Sequence, residues 1–477
     1  MSPIIVWFRQ DLRLQDHPAL YHACQKEVPV IPIYIYDDVN PGKWLPGASS
    51  RWWLHHSLQS LKNELAKHHG TLYTFRGDPL KVLKKIVKDY KPQSLYWNRC
   101  YEPYAIERDK RIKTWASDEG LEARSFNGSL LVEPWEVETN SGDPYRVFTP
   151  FWKAAQKEIQ IDKILPVPKL TNFNKDIPYA ETLESWKLVE ANRDFSGFSI
   201  WTPGEEGAHQ NLKRFLYYAL ENYAEDRDVP GDEGTSKLSP HLHFGEISPN
   251  EVYLAIDRQH DRRNKDQAKS CERYQAELGW REFSYHLLYH FPNIPESAFN
   301  PKFSDFPWHE DKPNHEKWQK GLTGYPIVDA GMRELFHTGW MHNRVRMLVA
   351  SFLTKDLFIH WKEGEKWFWE HLVDADLANN SASWQWVAGS GADAAPYFRV
   401  FNPTLQGQKF DPEGKYVRKW VPEIASLPKQ YIHKPWEAPH ELLEELGIDL
   451  ENNYALPIVD HSEQREQALK YFEKIKS

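Results

Sequence analysis

Cysteine is nearly absent from this chain, with 3 in 477 residues, at Cys24, Cys100 and Cys271. They are too few and too scattered for a disulfide framework or a thiolate metal site, and no metal is expected. Long apolar runs are missing too, so no membrane-spanning helix is expected. The opening MSPIIVWFRQD has no basic stretch followed by an apolar one; no signal peptide is read, and a cytoplasmic protein is expected. A basic excess is also lacking. The net charge is −9, which argues against a protein that coats nucleic acid, so any DNA site has to be a local basic patch. Acid is dense near the end, at Glu437, Glu441, Glu444, Glu445, Asp449 and Glu451. No G-x-G-x-x-G or Walker loop follows a candidate strand, which removes the usual nucleotide fingerprints. Aromatics, by contrast, are abundant: 21 Trp, 23 Tyr and 23 Phe put a sizeable core beyond doubt.

The first 130 or so residues alternate between short β-rich runs (IIVWFR, VIPIYIYD, TLYTFRG, SLYWNR, EARSFNG) and helical patterns near 51–69, 79–91 and 103–120. That alternation predicts an α/β domain with a five-stranded, parallel, doubly wound sheet over 1–130. Residues 131–200 are rich in Pro, Lys and Asn and read as an interdomain connector. From 201 to 477 strands disappear and helical periodicity dominates, predicting a larger all-α domain. Its part after Asn402 reads as loop-rich, closed by an amphipathic helix near 461–476.

Four stretches carry chemistry. In GDEGTSKLSPHLHFGEISP (231–249), two hydroxyls and Lys237 crowd a turn whose N–H groups could cradle phosphate. An ordinary capped helix start accounts for the same residues. In YQAELGWREFSYHLL, Glu277, Trp280 and Arg281 stand at i, i+3 and i+4 and share one helix face. A carboxylate, a flat ring and a guanidinium presented together suit a planar hydrogen-bonding ligand such as a base; a surface ion pair beside a core Trp is the bland alternative. In WMHNRVRMLVASF, Asn343 and Met347 share a face, while Arg344 and Arg346 are free for a phosphate or a downstream carboxylate. In DADLANNSASWQW, Asp374 and Asp376 lie two apart and cannot share a helix face; one can bind an arginine and the other a ligand. A metal reading of Asp-x-Asp lacks a His or Glu at ligand spacing. Polar groups in such Trp-rich sequence would be costly without a partner, which points to a large, flat, polar occupant. GSGADA (389–394) formally matches a dinucleotide loop but follows no strand, and reads as a tight turn.

Together with the opening WFRQDLRLQDHPAL and the terminal GSGADAAPYFRVFNP, these stretches resemble the DNA photolyase/cryptochrome family over nearly the whole chain, and within it a class I cyclobutane pyrimidine dimer photolyase. The resemblance implies FAD, reduced when active, in the helical domain, and a possible second antenna chromophore, a deazaflavin or methenyltetrahydrofolate. Carried over by position, Tyr223, Thr235, Ser236, Lys237, Leu238 and Ser239 line the phosphate and ribose end of FAD. Lys237 stands where the family often has arginine. Arg346 pairs with Asp374 beside the flavin, Asp376 meets its ribityl or ring part, and Asn380 faces N5. Trp384, Trp361 and Trp308 match the family's electron relay, in order from flavin to surface. Glu277 hydrogen-bonds the dimer and, with Asn343 and Met347, matches enzymes that split cyclobutane dimers. Trp280 and Trp386 stack on the flipped lesion, and Arg227, Arg281, Arg344 and Gln406 contact the DNA backbone. Trp367 and Trp369 are left as core.

The implied activity is light-dependent DNA repair by a deoxyribodipyrimidine photo-lyase, acting as a monomer on UV-damaged DNA with no membrane partner. The family's (6-4) enzymes typically carry Gln and two His where Glu277, Asn343 and Met347 stand. Trp384 is intact where DASH-type cryptochromes usually have Tyr, and iron–sulfur members need four cysteines. A cryptochrome-type photoreceptor without repair is the alternative. Cryptochromes commonly carry a long extension after FRVFNP, and this chain stops soon after it, which favours repair.

Overall fold

The computed structural model describes residues 1–260, 264–394 and 398–476; residues 395–397 of the last motif fall outside them. The β-rich runs form five parallel strands, β1 (Ile4–Phe8), β2 (Val30–Tyr36), β3 (Tyr73–Arg76), β4 (Ser94–Asn98) and β5 (Glu122–Phe126), in the order β3-β2-β1-β4-β5. The connections carry helices α1 (Pro18–Cys24), α2 (Ala48–Lys67), α3 (Pro79–Tyr90) and α4 (Pro103–Asp118). Every residue of β1, β2 and β4 is buried, as parallel strands covered on both faces require. The strand period of two divides the packing. Ile4, Val6 and Phe8 join Leu58 and Leu61 of α2, while Ile5 and Trp7 join Leu83 and Ile86 of α3. This is the doubly wound α/β sheet expected. The short α1 was not expected: seven residues opened by the His17 cap and Pro18 are too few for a helical period to register.

The opening motif is a staple. Asp11 lies 3.0 Å from His17 and accepts from Asn98 of β4 at 2.8 Å, all three buried. Arg13 donates to the carbonyl oxygens of Gly245 (2.9 Å) and Gly128 (2.7 Å), and Leu12 N–H donates to Phe244 O, fastening the sheet to the helical part. At the crevice beyond the C-terminal ends of β1 and β4, Arg9 pairs with Asp109 at 2.6 Å and Arg108 with Asp37 at 3.1 Å. Both guanidiniums lie over Trp7.

Residues 131–200 are largely irregular, yet contain α5 (Phe148–Glu158), which sequence periodicity did not reveal. Glu181 pairs with Thr74, laying this segment against the edge strand β3. From Glu205 onward the described elements are helical, including the helix at His461–Lys476. The region after Asn402 holds more helix than expected, at Pro403–Phe410 and Lys415–Trp420. GSGADA is indeed a turn: Gly389 ends the helix Leu377–Ala388 with φ 93°.

Candidate active site

A cavity of about 540 Å³ opens in the helical part, within the range of cofactor sites. The long helix Lys265–His290 supplies Glu277, Trp280 and Arg281; helix Asn343–Ser351 supplies Asn343, Arg344, Arg346 and Met347. The segment from Asp374 to Trp386 adds Asp374, Asp376, Asn380, Trp384 and Trp386. Tyr223, Arg227 and the run Thr235, Ser236, Lys237, Leu238 and Ser239 complete the lining. Residues far apart in sequence are thus brought to one place. Trp308, Trp361 and Gln406 do not line it.

At the Ser236 end, the turn is held open by its own bonds. Tyr274 OH lies 2.9 Å from Ser236 Oγ, Thr235 O accepts from Arg214 at 3.0 Å, and Lys237 takes a left-handed φ of 53°. Deeper in, one Arg346 nitrogen reaches both Asp374 oxygens, at 2.9 and 3.1 Å, and Nε donates to Met341 O. Asp376 is saturated by the protein: Tyr285 OH at 2.5 Å, His243 at 3.2 Å, and the backbone and side-chain N–H of Asn379 at 2.9 and 2.8 Å. Burial alone would raise the Asp376 carboxyl, but the bond and charge of His243, with Arg281 and Tyr285, outweigh it and hold the group well below the usual carboxylate range. It is a fixed negative charge. Asn380 donates its amide nitrogen to Glu365 O at 3.0 Å, so its oxygen is the atom left to a ligand. Glu365 itself is buried, accepts from Ser381 Oγ at 2.5 Å, and is pushed up to about 8 by burial.

At the mouth, Glu277 is bound by Arg227, and Arg344 pairs with Asp228 at 2.8 Å. Trp280 stacks face to face on Phe148 of α5 (centroids 3.8 Å apart, planes 8° apart), which leaves one ring face for the cavity. Trp386 donates to Asp393 O at 3.1 Å, and Asp393 accepts from Phe148 N–H at 3.3 Å, so both tryptophans are tied to the same connector residue. Arg281 differs from the expectation of a strand contact. It donates to Ser129 O at 2.7 Å and lies 3.3 Å from Glu282, which turns its head inward.

Trp384 is buried, with Phe368 edge-on at 4.9 Å and Trp318 at 6.4 Å. Trp361 is buried in the same apolar cluster, and His360 lies between it (5.4 Å) and Trp308 (4.9 Å). Gln406 sits half-buried on the helix that carries Phe410 beneath Arg344. Trp367 and Trp369 are half-buried, the first stacked on His371 and the second bonded to Leu45 O. Sequence reasoning missed Phe148, Asp228, His243, Tyr285 and Trp318. His243 and Tyr285 lie within the singled-out stretches, and Tyr285 follows Glu277 and Arg281 at i+8 and i+4 on one helix face, a spacing that could have found it. Phe148, Asp228 and Trp318 are delivered only by the fold.

Two family models match the chain: "DNA photolyase" over residues 4–170 and "FAD binding domain of DNA photolyase" over 274–474. The deoxyribodipyrimidine photo-lyase of Agrobacterium fabrum is 48% identical over 479 residues, covering 100% of this chain and 98% of the relative. Cryptochrome-2 of Arabidopsis thaliana is 37% identical, over 97% of this chain and 77% of its own. The crystal structure of a bacterial class III photolyase from Agrobacterium tumefaciens superposes with a TM-score of 0.95 at 48% identity, covering 100% of this chain and 98% of that one.

Proposed function

The chain belongs to the DNA photolyase/cryptochrome family, and on that premise we propose that it is a deoxyribodipyrimidine photo-lyase repairing cyclobutane pyrimidine dimers with light and FAD. One observation carries this reading. The residues suited to a flavin and those suited to a flipped pyrimidine pair line one cavity, with Glu277 and Trp280 at the mouth and Asp374 and Asn380 deeper. Bound and reduced, FAD supplies the light-excited electron. Around it, the Arg346–Asp374 pair gives a polar edge with fixed geometry, and the Asn380 oxygen accepts from a protonated ring nitrogen. Ser236, Lys237 and the neighbouring turn hold the phosphates. Trp384, Trp361 and Trp308 carry electrons inward. Trp280 and Trp386 stack on the dimer, and Glu277 hydrogen-bonds it where charge develops. Arg227, Arg344 and Gln406 are assigned to the strand, and Arg281 to the cavity interior.

The expected class I placing gives way to class III, supported by the similar Agrobacterium structure. The division into 1–130, 131–200 and 201–477 stays as the working one. A second, antenna chromophore, a deazaflavin or methenyltetrahydrofolate, stays part of this reading, while Arg9, Arg108, Asp109 and Asp37 form buried ion pairs at the crevice beyond β1 and β4. Among the described residues no helix is long and apolar enough to cross a membrane.

The test is direct. The purified protein should carry a flavin absorption band and, once reduced, should remove dimers from an irradiated duplex under blue light but not in darkness. A flavin-loaded, reduced protein that leaves the dimers intact would favour the cryptochrome reading.

A further inference from the structure

Five charges alternate in sign across the cavity mouth: Arg273, Glu277, Arg227, Asp228 and Arg344. Arg273 lies 3.9 Å from Glu277, Glu277 is bound by Arg227, Arg227 is 3.8 Å from Asp228, and Asp228 pairs with Arg344 at 2.8 Å. The three arginines line the cavity. Each cation a DNA strand would seek is therefore already engaged by a carboxylate. Binding a phosphate exchanges one ion pair for another, so the electrostatic gain that drives sequence-independent binding is largely cancelled.

We infer that Asp228 is a specificity-determining residue that keeps Arg344 from gripping undamaged DNA, as Glu277 does Arg227. The inference rests on the lesion-site reading given above. When a flipped dimer draws Glu277 to itself, Arg227 keeps only the 3.8 Å contact to Asp228, which is too long for a hydrogen bond. Arg227 is then free for a phosphate. Reading the damage and gripping the strand are coupled through the ion-pair chain. Asp228 is not needed to aim Arg344, whose guanidinium rests 4.4 Å over Phe410 and reaches Met347 Sδ at 3.8 Å.

The experiment measures binding of the flavin-loaded protein to an undamaged duplex and to one holding a single dimer, across a salt series. Asp228→Asn keeps the shape and removes the charge, and Asp228→Ser is a second variant in case the first disturbs the loop. Both should bind undamaged duplex about three- to tenfold more tightly, with a log K against log salt slope steeper by about one, as one freed arginine requires. Dimer-containing duplex should gain less, so the preference falls. Glu444→Gln removes the same charge from an exposed helix away from the cavity lining and should leave the preference unchanged. Unaltered or weaker binding of undamaged duplex by both Asp228 variants would overturn the inference; weaker binding of both duplexes would mean Asp228 orients Arg344 instead. A parent protein with no preference for the dimer refutes the lesion-site reading itself, a result distinct from an intact preference that ignores Asp228.

Discussion

Glu365 is held neutral beside the cavity. Its carboxyl is buried and pushed up to about 8 from the ordinary 4.5, with the Ser381 bond offsetting only part of the burial. Below pH 4.5 both folded and unfolded forms are protonated and nothing is lost. Between 4.5 and 8, folding must take up a proton, so stability falls as pH rises by about 1.4 kcal/mol per pH unit, and levels off above 8. Glu365→Gln keeps an acceptor for Ser381 and removes the titration. Its melting temperature should therefore fall less between pH 5 and pH 8 than that of the parent. Thermal melts of both proteins at the two pH values check this, and parallel profiles would refute it. The backbone carbonyl that orients Asn380 is unchanged by the substitution, so flavin content should persist.

Helix Trp361–His371 packs on helix Leu377–Ala388 through a glycine. A Cβ at Gly364 would stand 2.1 Å from Trp384 Cη2 and 2.4 Å from Cζ3. An alanine in a helix interior normally gains up to about 1 kcal/mol over glycine. Here the ring has to move, and overpacking of a tight core costs about 1–3 kcal/mol, so the net sign is destabilising. Gly364→Ala should also slow photoreduction of oxidised flavin, since Trp384 is the innermost tryptophan of the assigned relay, yet leave repair by chemically prereduced protein largely intact. Transient absorption and a dimer-repair assay separate the two. Unchanged photoreduction in a variant with a lowered melting temperature would remove Trp384 from the relay. The same logic of close approach holds at Gly279, where a Cβ would stand 2.6 Å from Trp152 of α5 and so would push apart the connector and the long helix.

Over the whole molecule the charge is −9, and DNA has to be held by a small basic island. Arg227, Arg273 and Arg344 are the cations at the mouth; with Arg344 held by Asp228, the two that Glu277 releases set the expected slope of log K against log salt for dimer-containing duplex at about −2. A slope near −8 would mean a much wider basic face than these residues provide. The measurement is a binding titration at several salt concentrations with flavin-loaded protein. The sheet part contributes rigidity to this arrangement through buried cross-links such as Trp53 Nε1 to Glu246 (2.9 Å) and Arg13 to Gly245 O.

Local pattern was enough for much of this protein. The five strands and helices α2 to α4 follow from runs and periods confined to short windows, as does the contiguous turn from Thr235 to Ser239. Motif order along the chain was enough for the family and for most cavity residues. What only the tertiary structure decided are meetings between distant positions. Asp376 is hydrogen-bonded by Tyr285 and His243, 91 and 133 residues away, and Trp280 rests on a phenylalanine from the connector. Arg281 turns inward because Ser129 O and Glu282 are there to receive it. Asp228 gains its meaning from the arginine it faces. Periodicity reports which face of an element is buried; the partner that face meets depends on chain closure over long loops, which no short window contains.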